Sequence, residues 1–221
     1  MVLIFDLDDT LYEELSYVRS GFRAVAKFIN QKYNLGEEKI YSDLYKQVLK
    51  SRNNVFNIVF ENYKIKSKTL INKSLHIYRN HSSNISLYPD AISCFKRFSN
   101  IKKFVVTDGN KIVQNNKCEA LKLDKFVEKC IISHRYGIKN AKPSPYVFLM
   151  LSNKLKVPAS QIIYIADNPN KDFIGIKPLG FKTVRVKRGM FYNIVLDKSH
   201  EADITINTLD ELTDNLLKKL L

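Results

Sequence analysis

Cysteine and histidine are scarce in this 221-residue chain, and neither is spaced for metal or thiol chemistry. Three cysteines, Cys94, Cys118 and Cys130, form no Cys-x-x-Cys pair and leave an odd count. They read as small buried hydrophobes in a reducing compartment rather than as a zinc site or a disulfide framework. His76, His81, His134 and His200 are scattered, so histidine does not carry the chemistry. No run approaches the roughly 20 apolar residues that span a bilayer. The start, MVLIFDLDD, has no basic leader and places acids where a signal core would continue, so the expectation is a cytoplasmic protein with no membrane partner. There is no internal repeat and no low-complexity tract. Acids are also few: 22 against 36 Lys and Arg, for a net charge of +14. The lysines are spread along the whole chain rather than gathered in one arm, which argues against a nucleic-acid interface and fits an A/T-rich coding bias. The surplus would in either case attract small phosphorylated molecules.

Against these absences stands a regular alternation. Val2–Phe5 is a short apolar run that stops at Asp6, the pattern of a buried parallel strand. The pattern returns at 104–106, stopping at Thr107, at 162–166, stopping at Asp167, and at 183–186. Weaker runs lie at 129–133 and 204–206. Helical patterns separate them at 111–123, at 144–156 behind Pro143-Ser144-Pro145, at 170–179 ending near Gly180, and at 208–220 behind a capping-box sequence. Such alternation predicts an α/β fold, a Rossmann-like parallel sheet covered by helices on both faces. Residues 13–86 break it. They hold no strand run but carry apolar residues at helical spacing, among them Val18, Phe22, Val25, Phe28, Ile29, Leu44, Val48, Leu49, Ile58 and Tyr78. The expectation is three or four amphipathic helices, because some 75 residues exceed any ordinary connection between strands.

Ligands of open α/β sheets bind at the carboxyl ends of the strands. Here those ends carry Asp6 and Asp8, Thr107, and Asp167. Asp6 and Asp8 are two apart, so an extended chain points both carboxylates the same way. Two carboxylates that close do not both ionise freely unless a cation or an acid role separates them. That suits Asp6 as nucleophile and metal ligand, with Asp8 donating and accepting the proton. Asp167 adds a further oxygen for a hard cation such as magnesium.

The segment Asp6-Leu7-Asp8-Asp9-Thr10-Leu11 resembles the first motif of the haloacid dehalogenase (HAD) superfamily phosphatases. Thr107-Asp108-Gly109 resembles the second motif, Lys142-Pro143-Ser144-Pro145 the third, and Asp167-Asn168-Pro169-Asn170-Lys171-Asp172 the fourth, all in order. Gln114, Lys117, Ser133, Gly137 and Phe148 extend the likeness between motifs. The resemblance implies that Asp6 attacks phosphorus and forms an aspartyl-phosphate, while Asp8 protonates the leaving alcohol and then activates water. It implies Mg held by the side chains of Asp6 and Asp167 and the backbone carbonyl of Asp8. It further implies that Thr107, with the amides of Asp108 and Gly109, holds the phosphoryl oxygens. Lys142 would neutralise the crowded carboxylates, with Thr10 and Asp172 in support, Asp172 orienting Lys142 or a metal-bound water. The chain departs from the family at Ala166, often Gly, and at Asp9, where many relatives read Asp-Gly-Thr.

The resemblance divides the chain into a catalytic core, 1–12 and 87–221, and a helical cap, 13–86. Tyr12, Arg19, Arg23, Arg52 and Asn53 are candidates for substrate contact. The expected activity is Mg-dependent hydrolysis of a small phosphorylated metabolite, a sugar phosphate or nucleotide. A phosphoglucomutase-like isomerase and a non-catalytic basic binding protein stay open as alternatives, and oligomeric state is not legible.

Overall fold

The computed structural model describes residues 1–221, which divide into two compact units, Met1–Glu14 with Ile85–Leu221, and Leu15–Asn84. The first is built on six parallel strands: β1 (Val2–Phe5), β2 (Lys102–Thr107), β3 (Lys129–Ile132), β4 (Ile162–Ala166), β5 (Lys182–Val186) and β6 (Ile204–Ile206). Their order in the sheet is β3-β2-β1-β4-β5-β6. The chain winds outward from β1 in one direction and then, from β4, in the other. The point of reversal lies between β1 and β4, where α/β sheets open a crevice at their carboxyl ends. Asp6 stands at that point, its amide donating to Ile165 O at 2.9 Å and carrying the β1–β4 pairing one residue beyond the strand.

Alternation along the strands assigns the two faces. Val2, Ile4, Phe104, Val106, Ile162 and Tyr164 form one face, packed with Val147, Phe148 and Leu151 of α7 (Tyr146–Leu155). On the other, Phe5 meets Phe95 edge to face at 5.4 Å, placing α5 (Pro89–Arg97) there. The sheet is thus buried on both sides, which is why its strands read as continuous apolar runs. α6 (Lys111–Ala120) follows β2, its end capped by Asn110, whose side chain accepts from the amides of Ile112 and Val113. α8 (Asp214–Leu220) closes the chain behind a short turn at 209–211 with the expected capping box on Thr208 and Glu211.

Three expectations about this unit are corrected. Residues 170–179 form no α-helix, only a short 3-10 turn at Lys177–Leu179. Phe173 and Ile176 are buried without helical backbone, and a side chain on Gly175 would run into the Pro143 carbonyl oxygen. The turn therefore packs directly on the Lys142-Pro143 loop. Second, α5 lies in a stretch where no element was expected. Third, Cys118 and Cys130 are only half-buried, and Cys94 alone of the three cysteines is fully enclosed.

The second unit consists of α1 (Glu14–Tyr33), α2 (Glu37–Lys50), α3 (Val55–Asn62) and α4 (Lys68–Asn80). Its core joins Val18, Phe22, Val25 and Ile29 to Leu44, Val55, Phe56, Val59, Phe60 and Leu70. Phe56 touches Phe22, Phe60 and Tyr78 with ring centroids about 6 Å apart. Leu49 and Ile58, expected in this apolar stripe, are exposed instead. The two strands of chain that lead to and from this insertion are joined within the first unit, where the Tyr88 amide donates to Leu11 O at 2.9 Å. No helix is long and apolar enough to cross a membrane.

Candidate active site

Four loops at the carboxyl ends of β1, β2 and β4 and after β3 bring the candidate residues together. Asp6, Asp167, Asp172 and Lys142 are all buried. Lys142 Nζ lies 2.5 Å from Asp6 Oδ1 and 2.8 Å from Asp172 Oδ1, and donates to the Tyr164 hydroxyl at 2.8 Å. Tyr164 OH in turn donates to Asp172 Oδ1 at 3.2 Å, and Asp172 Oδ2 accepts the Asn168 amide at 3.0 Å. Both oxygens of Asp172 are therefore engaged, which makes it the anchor of Lys142. Burial opposes the charge of Lys142, but Asp172 and Asp6 outweigh it and hold the ammonium well above its ordinary pKa.

One ammonium does not balance this many acids. Carboxylate oxygens of Asp6, Asp167 and Asp172 fall within 4.8 Å of one another. Burial pushes the Asp6 carboxyl up to about 6, against the pull of Lys142. Burial, and then the charges of Asp6 and Asp172, drive Asp167 well above the usual carboxylate range. Asp167 has a single side-chain donor, Thr10 Oγ1 at 3.2 Å. An all-oxygen, negatively charged and poorly compensated set is what a hard divalent cation requires, so these residues fit magnesium.

The Asp8 carboxylate lies apart from that set, with partners of its own. Its Oδ1 accepts from Tyr12 OH at 2.5 Å and from Lys117 Nζ at 2.6 Å, and its Oδ2 from Gln114 Nε2 at 3.1 Å. Burial works against its charge, yet Lys117 and these hydrogen bonds hold its carboxyl below the ordinary value. The two shift in opposite directions, because burial and the charge of Asp172 outweigh Lys142 at Asp6, whereas Lys117 and the hydrogen bonds from Tyr12 and Gln114 outweigh burial at Asp8. Tyr12, expected as a possible substrate contact, belongs to this cluster. Arg23, another such candidate, pairs with Glu38 on the surface of the helical unit and lies over the Tyr41 ring.

The phosphate-loop candidates are ordered by glycine and by Asp108. Gly109 has φ +128°, a conformation that side chains rarely adopt, and a Cβ there would stand 2.9 Å from Gln114 Nε2. Thr107 Oγ1 donates to Gln114 Oε1 at 3.3 Å. The Asp108 carboxylate accepts from Ser133 Oγ, the Lys142 amide and Lys171 Nζ at 2.5, 3.2 and 3.0 Å. It thus clamps three loops together. Burial opposes its charge, but Lys142 and Lys171 hold it below the usual range. Asp9, the departure from Asp-Gly-Thr, has φ +54°, a left-handed position that Gly and Asp both tolerate. Its carboxylate turns to the backbone, accepting from the amides of Glu14 at 2.9 Å and Met190 at 3.3 Å.

A family model for haloacid dehalogenase-like hydrolases matches residues 1–180. The chain belongs to the haloacid dehalogenase-like hydrolases. It is 28% identical to a glyceraldehyde 3-phosphate phosphatase of Methanocaldococcus jannaschii, over 96% of this chain and 95% of that protein. It is 27% identical to a protein of the same name from Pyrococcus furiosus, over 97% and 92%. Its fold matches the crystal structure of a HAD phosphatase from Thermococcus onnurineus with a TM-score of 0.62, at 23% identity and covering 97% of each chain.

Proposed function

We propose that this HAD-like phosphatase hydrolyses a small sugar phosphate, of triose-phosphate size, with magnesium and through a phosphorylated Asp6. The reading rests chiefly on the buried Asp6–Lys142–Asp172 contact beside Asp167 at the turning point of the sheet. Asp6 and Asp167, with the Asp8 carbonyl, would hold the ion, which offsets the charge of carboxylates and phosphate and lets Asp6 stay ionised at neutral pH. The naming of both curated relatives supports a triose phosphate as substrate.

The chain's own residues then account for the two halves of the reaction. Lys142 holds Asp6 Oδ1 in place, leaving its other oxygen to attack phosphorus in line. Thr107 would turn its hydroxyl from Gln114 to a phosphoryl oxygen, with the amides at Asp108 and Gly109 beside it. Asp8 protonates the leaving alcohol and afterwards takes a proton from water. In the resting protein Asp8 is held ionised; the dianionic phosphate arriving nearby raises its proton affinity, since like charge disfavours the ionised form. Residues 15–84 are, in this reading, the helical insertion that corresponds to the family's cap.

The deciding experiment is phosphate release from a panel of triose, pentose and hexose phosphates and nucleotides, with magnesium or with EDTA. The expected result is magnesium-dependent release that favours the smallest sugars and is abolished in Asp6→Asn. Release that persists in Asp6→Asn or in EDTA overturns the assignment.

A further inference from the structure

Lys117 and Gln114 lie three residues apart on one face of α6, and both reach Asp8, 109 and 106 positions away in the chain. Tyr12 reaches the same carboxylate from the loop after β1, and Lys117 Nζ lies over the Tyr12 ring, 5.8 Å from its centroid. Tyr12 and Lys117 are buried, whereas the Asp8 side chain keeps 26% of its surface open. The three donors are unequally shared. Oδ1 receives two short contacts, from a hydroxyl and an ammonium, while Oδ2 receives only the amide of Gln114 at 3.1 Å. That amide is coupled through its own oxygen to Thr107.

We propose that Lys117 and Tyr12 are positioning residues that occupy Asp8 Oδ1 and thereby assign proton transfer to Oδ2, aimed at the leaving-group oxygen. This rests on the phosphatase reading above and concerns the step in which the ester bond breaks. The Asp6–phosphorus bond forms as the bond from phosphorus to the leaving oxygen breaks. The electron pair of the broken bond stays on that oxygen, which takes the proton from Asp8 Oδ2. A carboxyl group free to rotate presents either oxygen and spends part of its time turned away. One saturated on Oδ1 by an ammonium and a hydroxyl cannot turn, because turning would bring a proton against two donors. Gln114 senses the phosphate on the same side: when Thr107 turns to the phosphoryl group, the amide loses its hydrogen-bonded partner and is free to release Oδ2.

Such an effect depends on the leaving group. An alkoxide needs the proton as it departs, whereas p-nitrophenolate, a weak base, leaves without one. The test is kcat/KM, which reports events up to phosphorylation of the enzyme, for glycerol 3-phosphate and p-nitrophenyl phosphate in magnesium. In Lys117→Met the alkyl-to-aryl ratio is expected to fall about twentyfold, and in Tyr12→Phe about fivefold, fractions of the range that general acid catalysis supplies. Lys117→Arg should recover part of the ratio. Equal losses on both esters, or no loss on either, overturn the positioning role while leaving the phosphatase assignment intact. Wild-type protein that releases phosphate from neither ester overturns both. If Lys117→Met melts at markedly lower temperature, Tyr12→Phe, which keeps the ring, decides by the same ratio.

Discussion

The two compact units enclose buried clusters of opposite chemistry. The helical unit packs Phe22, Phe56 and Phe60 with aliphatic neighbours, and its Arg23–Glu38 ion pair is mostly solvated. The sheet unit is mostly apolar within its strands, apart from buried Lys103, Thr183 and Arg185, but crowds Asp6, Asp167, Asp172 and Lys142 near the carboxyl ends of its central strands. Burying charge this way opposes stability unless each group is paired, and here the acids outnumber the cation. The difference teaches that the helical unit spends its buried core on apolar packing, whereas the sheet unit gives up some cohesion to hold reactive groups out of water.

The largest effect that tests this contrast is on turnover. Asp6→Asn should reduce kcat at least about a thousandfold, as loss of a nucleophile does. The melting temperature should hold or rise at neutral pH, because a carboxyl group already pushed up to about 6 is costly to ionise and Lys142 keeps Asp172. A clear fall in melting temperature would show that the acid is structural.

Stability supplies the next two comparisons. Lys142→Met strands Asp6 and Asp172, and urea unfolding should show a loss of about 3–5 kcal/mol. Phe60→Ala in the helical core should cost a similar amount, about 3–5 kcal/mol, by opening a cavity. The two losses should separate on adding magnesium at neutral pH, which competes for the stranded acids but not for the cavity.

A smaller effect concerns pH. Asp6 and Asp167 both have raised pKa values in the folded protein. Their contribution to stability is therefore complete below about 3.8, the ordinary value, and is lost as pH rises, for Asp6 through about 6. In the proposed reading magnesium would take the place of those protons. At a hundredfold excess over its Kd it should raise the melting temperature by about 5–10 °C at pH 7.5, and by much less at pH 5. An equal rise at both values would place the ion elsewhere. The smallest effect is expected at Arg23→Met, below about 1 kcal/mol in urea, since the pair it breaks is exposed.

Much of this was legible in the sequence, for identifiable reasons. Strands buried on both faces are short apolar runs, unbroken in β1 and β4, so all six are legible within about two residues at either end, and the acids that follow β1 and β4 mark the rim. Residues 170–179 mislead because Gly180 reads as a helix stop, yet Phe173 and Ile176 are buried by irregular backbone that Gly175 packs on Pro143. α5 was missed although Pro89 stands at its first turn, a recognised start signal. The surroundings of Asp8 were not legible in principle. Lys117 and Gln114 share a helix face, which spacing reveals, but their acid partner lies over a hundred positions earlier, and only the fold joins them. Lys171 sits inside the fourth motif, but its pairing with Asp108 likewise needed coordinates.

The hydrogen bond from Tyr88 to Leu11 bears on how such a protein diversifies. It staples the two necks of the inserted helices to each other, so the sheet need not feel what is looped between them. A replacement cassette with ends that meet at the same clasp would leave the strands in register. Evolution, or an engineer grafting a foreign insert, can thus exchange one module while inheriting the other's chemistry unaltered.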